Sequence, residues 1–132
     1  MNGVPTMWIA LCNHPGIGKR DLSSLLNCGS GGAALPVEVA ERWQRLTGKV
    51  LRSGLGMTET APSCTFALGT QNRAGDIGLP VPGVEVKIVP VDGKLEIRFR
   101  GANVMPGYWR APEQSAAAFD DEGFYRTGDA VK

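Results

Sequence analysis

The segment Arg52-Ser53-Gly54-Leu55-Gly56-Met57-Thr58-Glu59-Thr60 sets a hydroxyl beside a carboxylate at the end of a glycine-bracketed turn, directly after a short run rich in leucine and valine. Glycines without a Cβ let backbone lie flat against a planar ligand. A threonine there can donate to a phosphate oxygen, and a glutamate can hold a hard cation through oxygen. Together these residues describe a nucleotide and Mg²⁺ corner. The local alternative is a helix start capped by Thr58, where the dipole would favour a carboxylate for structural reasons alone. Glycine turns are common, so the weight of the signal lies in what flanks it.

Upstream runs Gly29-Ser30-Gly31-Gly32-Ala33-Ala34-Leu35-Pro36. Downstream run Gly101-Ala102-Asn103-Val104-Met105-Pro106-Gly107-Tyr108-Trp109 and Asp121-Glu122-Gly123-Phe124-Tyr125-Arg126-Thr127-Gly128-Asp129. In this order and at these separations the four segments resemble the adenylate-forming acyl-CoA synthetases, the superfamily that also holds luciferases and peptide-synthetase adenylation domains. The resemblance extends over nearly the whole chain. It implies a reaction that joins a carboxylic acid to ATP, releases pyrophosphate and hands the acyl group from an acyl-adenylate to coenzyme A.

The resemblance also implies roles. Gly32, Ala33 and Ala34 lie against adenine, where small side chains permit close approach; Gly54, Leu55, Gly56 and Met57 continue the nucleotide-binding turn. Thr58 contacts the α-phosphate, Glu59 coordinates Mg²⁺, and Asp129 accepts hydrogen bonds from both ribose hydroxyls, a task that suits the two oxygens of a carboxylate. Tyr108 and Trp109 are expected as structural anchors packing the subdomains together, and Asp120, Asp121 and Glu122 as a solvated acidic turn. One departure stands at Leu55, where the family usually sets an aromatic ring against the base; losing that stack weakens nucleotide binding by about a kcal/mol.

By the same resemblance, the family's Ser/Thr/Gly-rich phosphate loop belongs before Met1, and a hinge with a small lysine-bearing domain belongs after Asp129. The chain is therefore expected to be the last part of a large N-terminal domain, with residues 1–72 from its α/β nucleotide-binding subdomain and 73–132 from a β-rich subdomain that ends before the hinge. Alone it should not catalyse. Strand edges and apolar faces left open by such a cut favour self-association. Fatty-acid and feruloyl-type aryl-acid CoA ligases both share features with the sequence, fatty acid being the preferred substrate reading. The other readings are an adenylation domain loading a carrier protein and a non-catalytic binding module whose glycines are merely turns.

These residues need elements to position them. Pro5 to Leu11 is an apolar helix ended by His14-Pro15-Gly16, with Trp8 and Met7 as core packing and His14 as a capping or surface residue. Leu22 to Cys28 reads as a strand feeding the first glycine loop. Pro36 to Thr47 forms a helix closed by Gly48, with Val39, Trp43 and Leu46 on one face and Glu38–Arg42 and Glu41–Arg45 paired on the other. Val50 to Leu55 is the next strand. This strand-loop-helix-strand order predicts a parallel α/β sheet with both glycine loops at its ligand-gathering edge.

From about Asn72 the pattern changes. Gly75 to Pro80 suggests a short strand. Val84 to Val89 and Leu95 to Arg100 alternate apolar and charged residues about Asp92-Gly93, predicting an antiparallel hairpin, and Ala111 to Phe119 reads as a proline-initiated helix. The predicted fold class is α/β: part of a mixed or parallel sheet with helices, followed by a small antiparallel, barrel-like β-rich subdomain.

Composition agrees with one globular unit: 132 residues, 42% hydrophobic, 20% charged, net charge +1. Interspersed charges give no nucleic-acid or membrane-binding patch, and no apolar run reaches the roughly 20 residues that span a bilayer. Cys12, Cys28 and Cys64 show neither a disulfide framework nor zinc spacing, so they read as reduced, buried residues in a cytoplasmic setting. The 18 glycines, without a period, signal many tight turns.

Overall fold

Three short parallel strands carry the first glycine loops. A computed structural model describes residues 1–67 and 75–131. In it β1 (Asn2–Gly3), β2 (Cys28–Ser30) and β3 (Leu51–Ser53) form a parallel sheet in the order β1-β2-β3, with Cys28 opposite Leu51 and Gly29 opposite Asn2. Helix α1 (Pro5–Asn13) starts on its proline, and α2 (Val37–Thr47) ends on Gly48 at φ 69°, the left-handed position a glycine occupies without strain. The chain clusters into two compact units, Met1–Gly56 with Thr65–Leu79, and Met57–Cys64 with Pro80–Lys132. The expected change of architecture near Asn72 lies outside the described residues.

In the first unit the core is built on two tryptophans. Trp8 of α1 and Trp43 of α2, both essentially inaccessible, meet edge to face at 4.9 Å, and Trp8 Nε1 donates to the Gly29 carbonyl at 3.2 Å. That bond ties α1 to the middle strand. Cys12, Cys28, Ala40 and Leu51 fill in around the pair. Met7, expected inside, is exposed, and so is Leu46; the buried face of α2 is Ala40 and Trp43 with Val39 partly covered. Of the two ion pairs expected on α2, Glu41–Arg45 closes at 3.7 Å, between exposed side chains.

The strand expected over Leu22 to Cys28 is shorter and later. Asp21 accepts the Ser23 N–H at 2.9 Å and Leu25 N–H donates to the Leu22 carbonyl, so the chain turns there and enters β2 only at Cys28. Two further short strands follow, β4 (Thr65–Phe66) and β5 (Leu79–Pro80), the second confined to the end of the stretch expected from Gly75.

The second unit is organised by a meander. Strands β6 (Val84–Val91), β7 (Lys94–Gly101) and β8 (Tyr125–Val131) form an antiparallel sheet in that order. Asp92 at φ 48° and Gly93 at φ 76° make the tight turn between the first two, the conformation this dipeptide favours. Ile97, Phe99, Phe124 and Tyr125 are its buried apolar residues. Helix α3 (Pro112–Ala117) is shorter than expected, and β8 was not anticipated as a strand. Among the described residues the sheet is open, with β6 and β8 as its edges.

Candidate active site

In the first unit both glycine loops leave the sheet at one edge, because β2 and β3 are parallel and each loop follows its strand's C-terminal end. This is where ligands gather on parallel sheets. After Ser30 the chain turns through Gly32, at φ 77°, to Ala33 and Ala34, which are exposed. After Ser53 come Gly54, Leu55 and Gly56. A Cβ on Gly54 would sit 2.7 Å from the Thr65 carbonyl, so close approach of β4 already demands glycine there. Leu55 is held on both backbone groups, its N–H by Thr65 Oγ1 at 3.1 Å and its carbonyl by Thr65 N–H at 3.0 Å. Ser30, which the sequence reading passed over, is buried, and its hydroxyl has no partner among the described residues. A buried orphan hydroxyl beside a candidate ligand loop calls for a polar partner.

In the second unit Thr58–Thr60 forms a single turn of 3₁₀ helix. The hydroxyl that caps this turn belongs to Thr60, not Thr58: Thr60 is fully buried, and its Oγ1 accepts the Met57 N–H at 3.2 Å while lying 3.1 Å from the Met57 and Pro62 carbonyls. Thr58 remains exposed. The loop after β7 braces the turn from outside. Met105 N–H donates to the Glu59 carbonyl at 2.8 Å, and Asn103 Nδ2 donates to the carbonyls of Thr60 at 2.8 Å and Ser63 at 3.0 Å.

Glu59 is half-buried, and Tyr108 donates its hydroxyl to Glu59 Oε1 at 3.2 Å. The Tyr108 oxygen lies 3.2 Å from the Tyr125 oxygen. A carboxylate only accepts, so the single Tyr108 proton points at Glu59 and Tyr125 must donate to Tyr108. Burial pushes the Tyr125 hydroxyl well above the ordinary phenol range, helped by its bond to Tyr108 and by the charges of Glu59 and Asp129, so it stays a donor. The charges of both candidate carboxylates, Glu59 and Asp129, thus bear on one buried tyrosine. Tyr108 anchors the Glu59 side chain within its own unit, whereas Trp109 is 87% exposed, with the Arg110 guanidinium 5.6 Å from its ring.

Asp129 lies exposed near the end of β8, its N–H donating to Thr127 Oγ1 at 3.0 Å. The acidic turn before β8 is not simply solvated. Asp121 and Glu122 are exposed, but the Asp120 side chain is 8% accessible and organises the corner. Its Oδ1 accepts the N–H groups of Glu122 at 3.1 Å and Phe124 at 2.9 Å, while Oδ2 pairs with Arg98 at 3.0 Å and Lys87 at 3.4 Å. The Phe124 backbone bond, aided by Arg98, lowers its carboxyl to about 2. Lys87 also pairs with Glu122. His14 accepts the Gly16 N–H through Nδ1 at 3.1 Å, the capping role expected of it.

Thus Gly32, Ala33, Ala34, Gly54, Leu55 and Gly56 belong to the first unit, and Met57, Thr58, Glu59 and Asp129 to the second. Residues 1–109 match the family described as AMP-binding enzyme, and the chain belongs to it. It is 41% identical to a long-chain-fatty-acid–CoA ligase of Bacillus subtilis, over 96% of this chain and 24% of the relative. ATP-bound MatB from Rhodopseudomonas palustris superposes with a TM-score of 0.89 at 33% identity, over 97% of this chain and 27% of that one. A malonyl-CoA ligase with methylmalonyl-CoA and AMP bound gives 0.86 at 40% identity, over 97% of this chain and 30% of that one. The chain spans about a quarter of the length of the curated relatives it matches.

Proposed function

We propose that this chain carries the nucleotide-binding part of an acid–CoA ligase, which activates a carboxylic acid with ATP to an acyl-adenylate and passes the acyl group to coenzyme A. The observation that carries this is Glu59: a carboxylate on a braced turn, anchored by a neutral donor, in a chain of the AMP-binding family. Residues 1–72 are assigned to the α/β nucleotide-binding subdomain and 73–132 to the β-rich subdomain, although Met57–Cys64 clusters with the second unit and the first extends to Leu79. Gly32, Ala33 and Ala34, with Gly54, Leu55, Gly56 and Met57, take the adenine side. Thr58, exposed and free of the capping duty, serves the α-phosphate. Asp129 takes the ribose hydroxyls.

Mg²⁺ fits this donor set. No cluster of three or more His, Cys, Asp or Glu side chains suited to a metal occurs among the described residues, and Mg²⁺ in nucleotide sites is commonly held by one or two carboxylates with substrate phosphates supplying the rest. Glu59 would hold it, and the ion would neutralise charge where two anions must meet. Tyr108 occupies one Glu59 oxygen without adding a competing charge, and the Thr60 cap fixes the turn. These are positioning tasks, which dominate when reaction consists in bringing carboxylate and phosphate together.

A fatty acid is the preferred substrate, supported by the 41% identity to a ligase named for long-chain fatty acids. The 40% identity to a ligase named for malonyl-CoA favours testing short dicarboxylic acids beside it, and feruloyl-type aryl acids belong in the same panel. Three buried free cysteines suit a reducing, cytoplasmic setting. Among the described residues no helix is long and apolar enough to cross a membrane. The test is acid-dependent ATP–pyrophosphate exchange by the full-length protein across fatty, aryl and dicarboxylic acids, followed by release of AMP with coenzyme A or with an acyl carrier protein. Exchange with a fatty acid and release by coenzyme A support the reading. No exchange with any acid refutes the enzyme, and release only by carrier protein refutes the acceptor.

A further inference from the structure

Strand β8 does not pair regularly with β7. Glu96 stands opposite Ala130 and Arg98 opposite Arg126, so Thr127, Gly128 and Asp129 all lie across from the single residue Ile97. A bulge of this kind re-aims side chains but strands backbone groups. Here side chains take up the stranded groups. Thr127 Oγ1 donates to the Ile97 carbonyl at 2.6 Å and accepts the Asp129 N–H at 3.0 Å. Glu96 Oε1 accepts the Gly128 N–H at 2.9 Å, while its Oε2 binds Arg98 at 2.7 Å.

Glu96 is 9% accessible, and Arg98 on its other side reaches Asp120. A buried carboxylate committed to one backbone N–H and one guanidinium has little rotational freedom. Gly128, at φ 72°, turns the chain beneath it. Asp129 then emerges from a bulge fixed on both sides, on the wall of a hollow of ≈ 270 Å³ that Lys94 and Glu96 also line.

We propose that Glu96 and Thr127 are positioning residues that aim the Asp129 carboxylate, and so set the preference for a ribonucleotide over its deoxy analogue. This rests on the assignment of Asp129 to the ribose. The anchored backbone fixes the direction in which the Asp129 Cα–Cβ bond leaves the bulge, and a diol is recognised best when its acceptor is placed before it arrives.

The experiment is equilibrium binding of ATP and 2′-deoxy-ATP to the full-length protein and its Thr127→Val, Thr127→Ser, Glu96→Gln and Asp129→Ala variants, with thermal unfolding of each. Thr127→Val and Glu96→Gln should cut the ratio of ATP to 2′-deoxy-ATP affinity by about tenfold, the scale of one well-made hydrogen bond. The 2′-deoxy-ATP affinity should fall less than that of ATP, since it keeps only the 3′-hydroxyl on Asp129, and Thr127→Ser, which keeps the hydroxyl, should restore the ratio. If Thr127→Val fails to fold, Glu96→Gln still decides the matter. Equal weakening of both nucleotides, with the ratio kept, overturns the proposal and leaves a purely structural bulge. An unchanged ratio in Asp129→Ala overturns the ribose assignment itself, and the proposal with it.

Discussion

Replacing Tyr108 by phenylalanine removes one oxygen from the path between Tyr125 and Glu59. The Glu59 side chain, now held at Oε1 by a 3.2 Å bond, would regain its rotamers. Ordering a glutamate again when a cation binds costs about 1 kcal/mol, roughly a fivefold rise in the Mg²⁺ needed for half-saturation. Loss of the donor alone would slightly strengthen the carboxylate's attraction for a cation, so a rise isolates the positioning effect. Tyr125, buried and left without its acceptor, should also cost about 1–2 kcal/mol of stability, read separately by urea denaturation. The assay is pyrophosphate exchange by the full-length protein against Mg²⁺ concentration, with Mn²⁺ binding followed by electron paramagnetic resonance as a direct readout. Tyr125→Phe keeps the bond to Glu59, and its requirement for metal should move less than about twofold. An unchanged or lower requirement in Tyr108→Phe, or an equal rise in Tyr125→Phe, refutes the reasoning.

Two further outcomes follow from the structure. Gly54→Ala sets a Cβ 2.7 Å from the Thr65 carbonyl and should destabilise the first unit by about 1–3 kcal/mol; wild-type stability in urea would contradict that close approach. Asp120 titrates at about 2 in the folded chain, against about 3.9 for a free aspartate, so its stabilisation is complete above about pH 4 and fades as the pH falls toward 2. Asp120→Asn should unfold at lower temperature at pH 7 and lose part of its acid sensitivity over that window. An unaltered pH profile of thermal unfolding would show that the corner is held by something else.

Much of this architecture is written in local signals. The proline that opens α1, the glycine that closes α2 and the Asp92-Gly93 turn each fix backbone angles without help from distant residues, and each element appears where those residues put it. Strand β8 escaped notice because its alternation is broken by Gly128 and by a bulge whose bonds come from Glu96, more than thirty residues earlier. Leu22 to Cys28 read as a strand, yet the Asp21 side chain bends the chain there and Leu26 ends 84% exposed. Charge alone made Asp120 look like surface, since its partners Arg98 and Lys87 are brought to it only by the sheet. Thr58 and Glu59 were legible as candidates from residue type and spacing alone. The Thr60 cap is a local bond to Met57 three residues back, whereas the hold of Tyr108 on the glutamate, from forty-nine residues away, depends on packing no local pattern records.

The most direct test of the account is a titration of the isotopically labelled protein with AMP, following the backbone amides of Thr58, Glu59, Gly128 and Asp129 by nuclear magnetic resonance. If the threonine-glutamate turn and the β8 aspartate serve one nucleotide, all four amides shift and saturate with a single dissociation constant. Movement at one segment with silence at the other, or two unrelated constants, would contradict it.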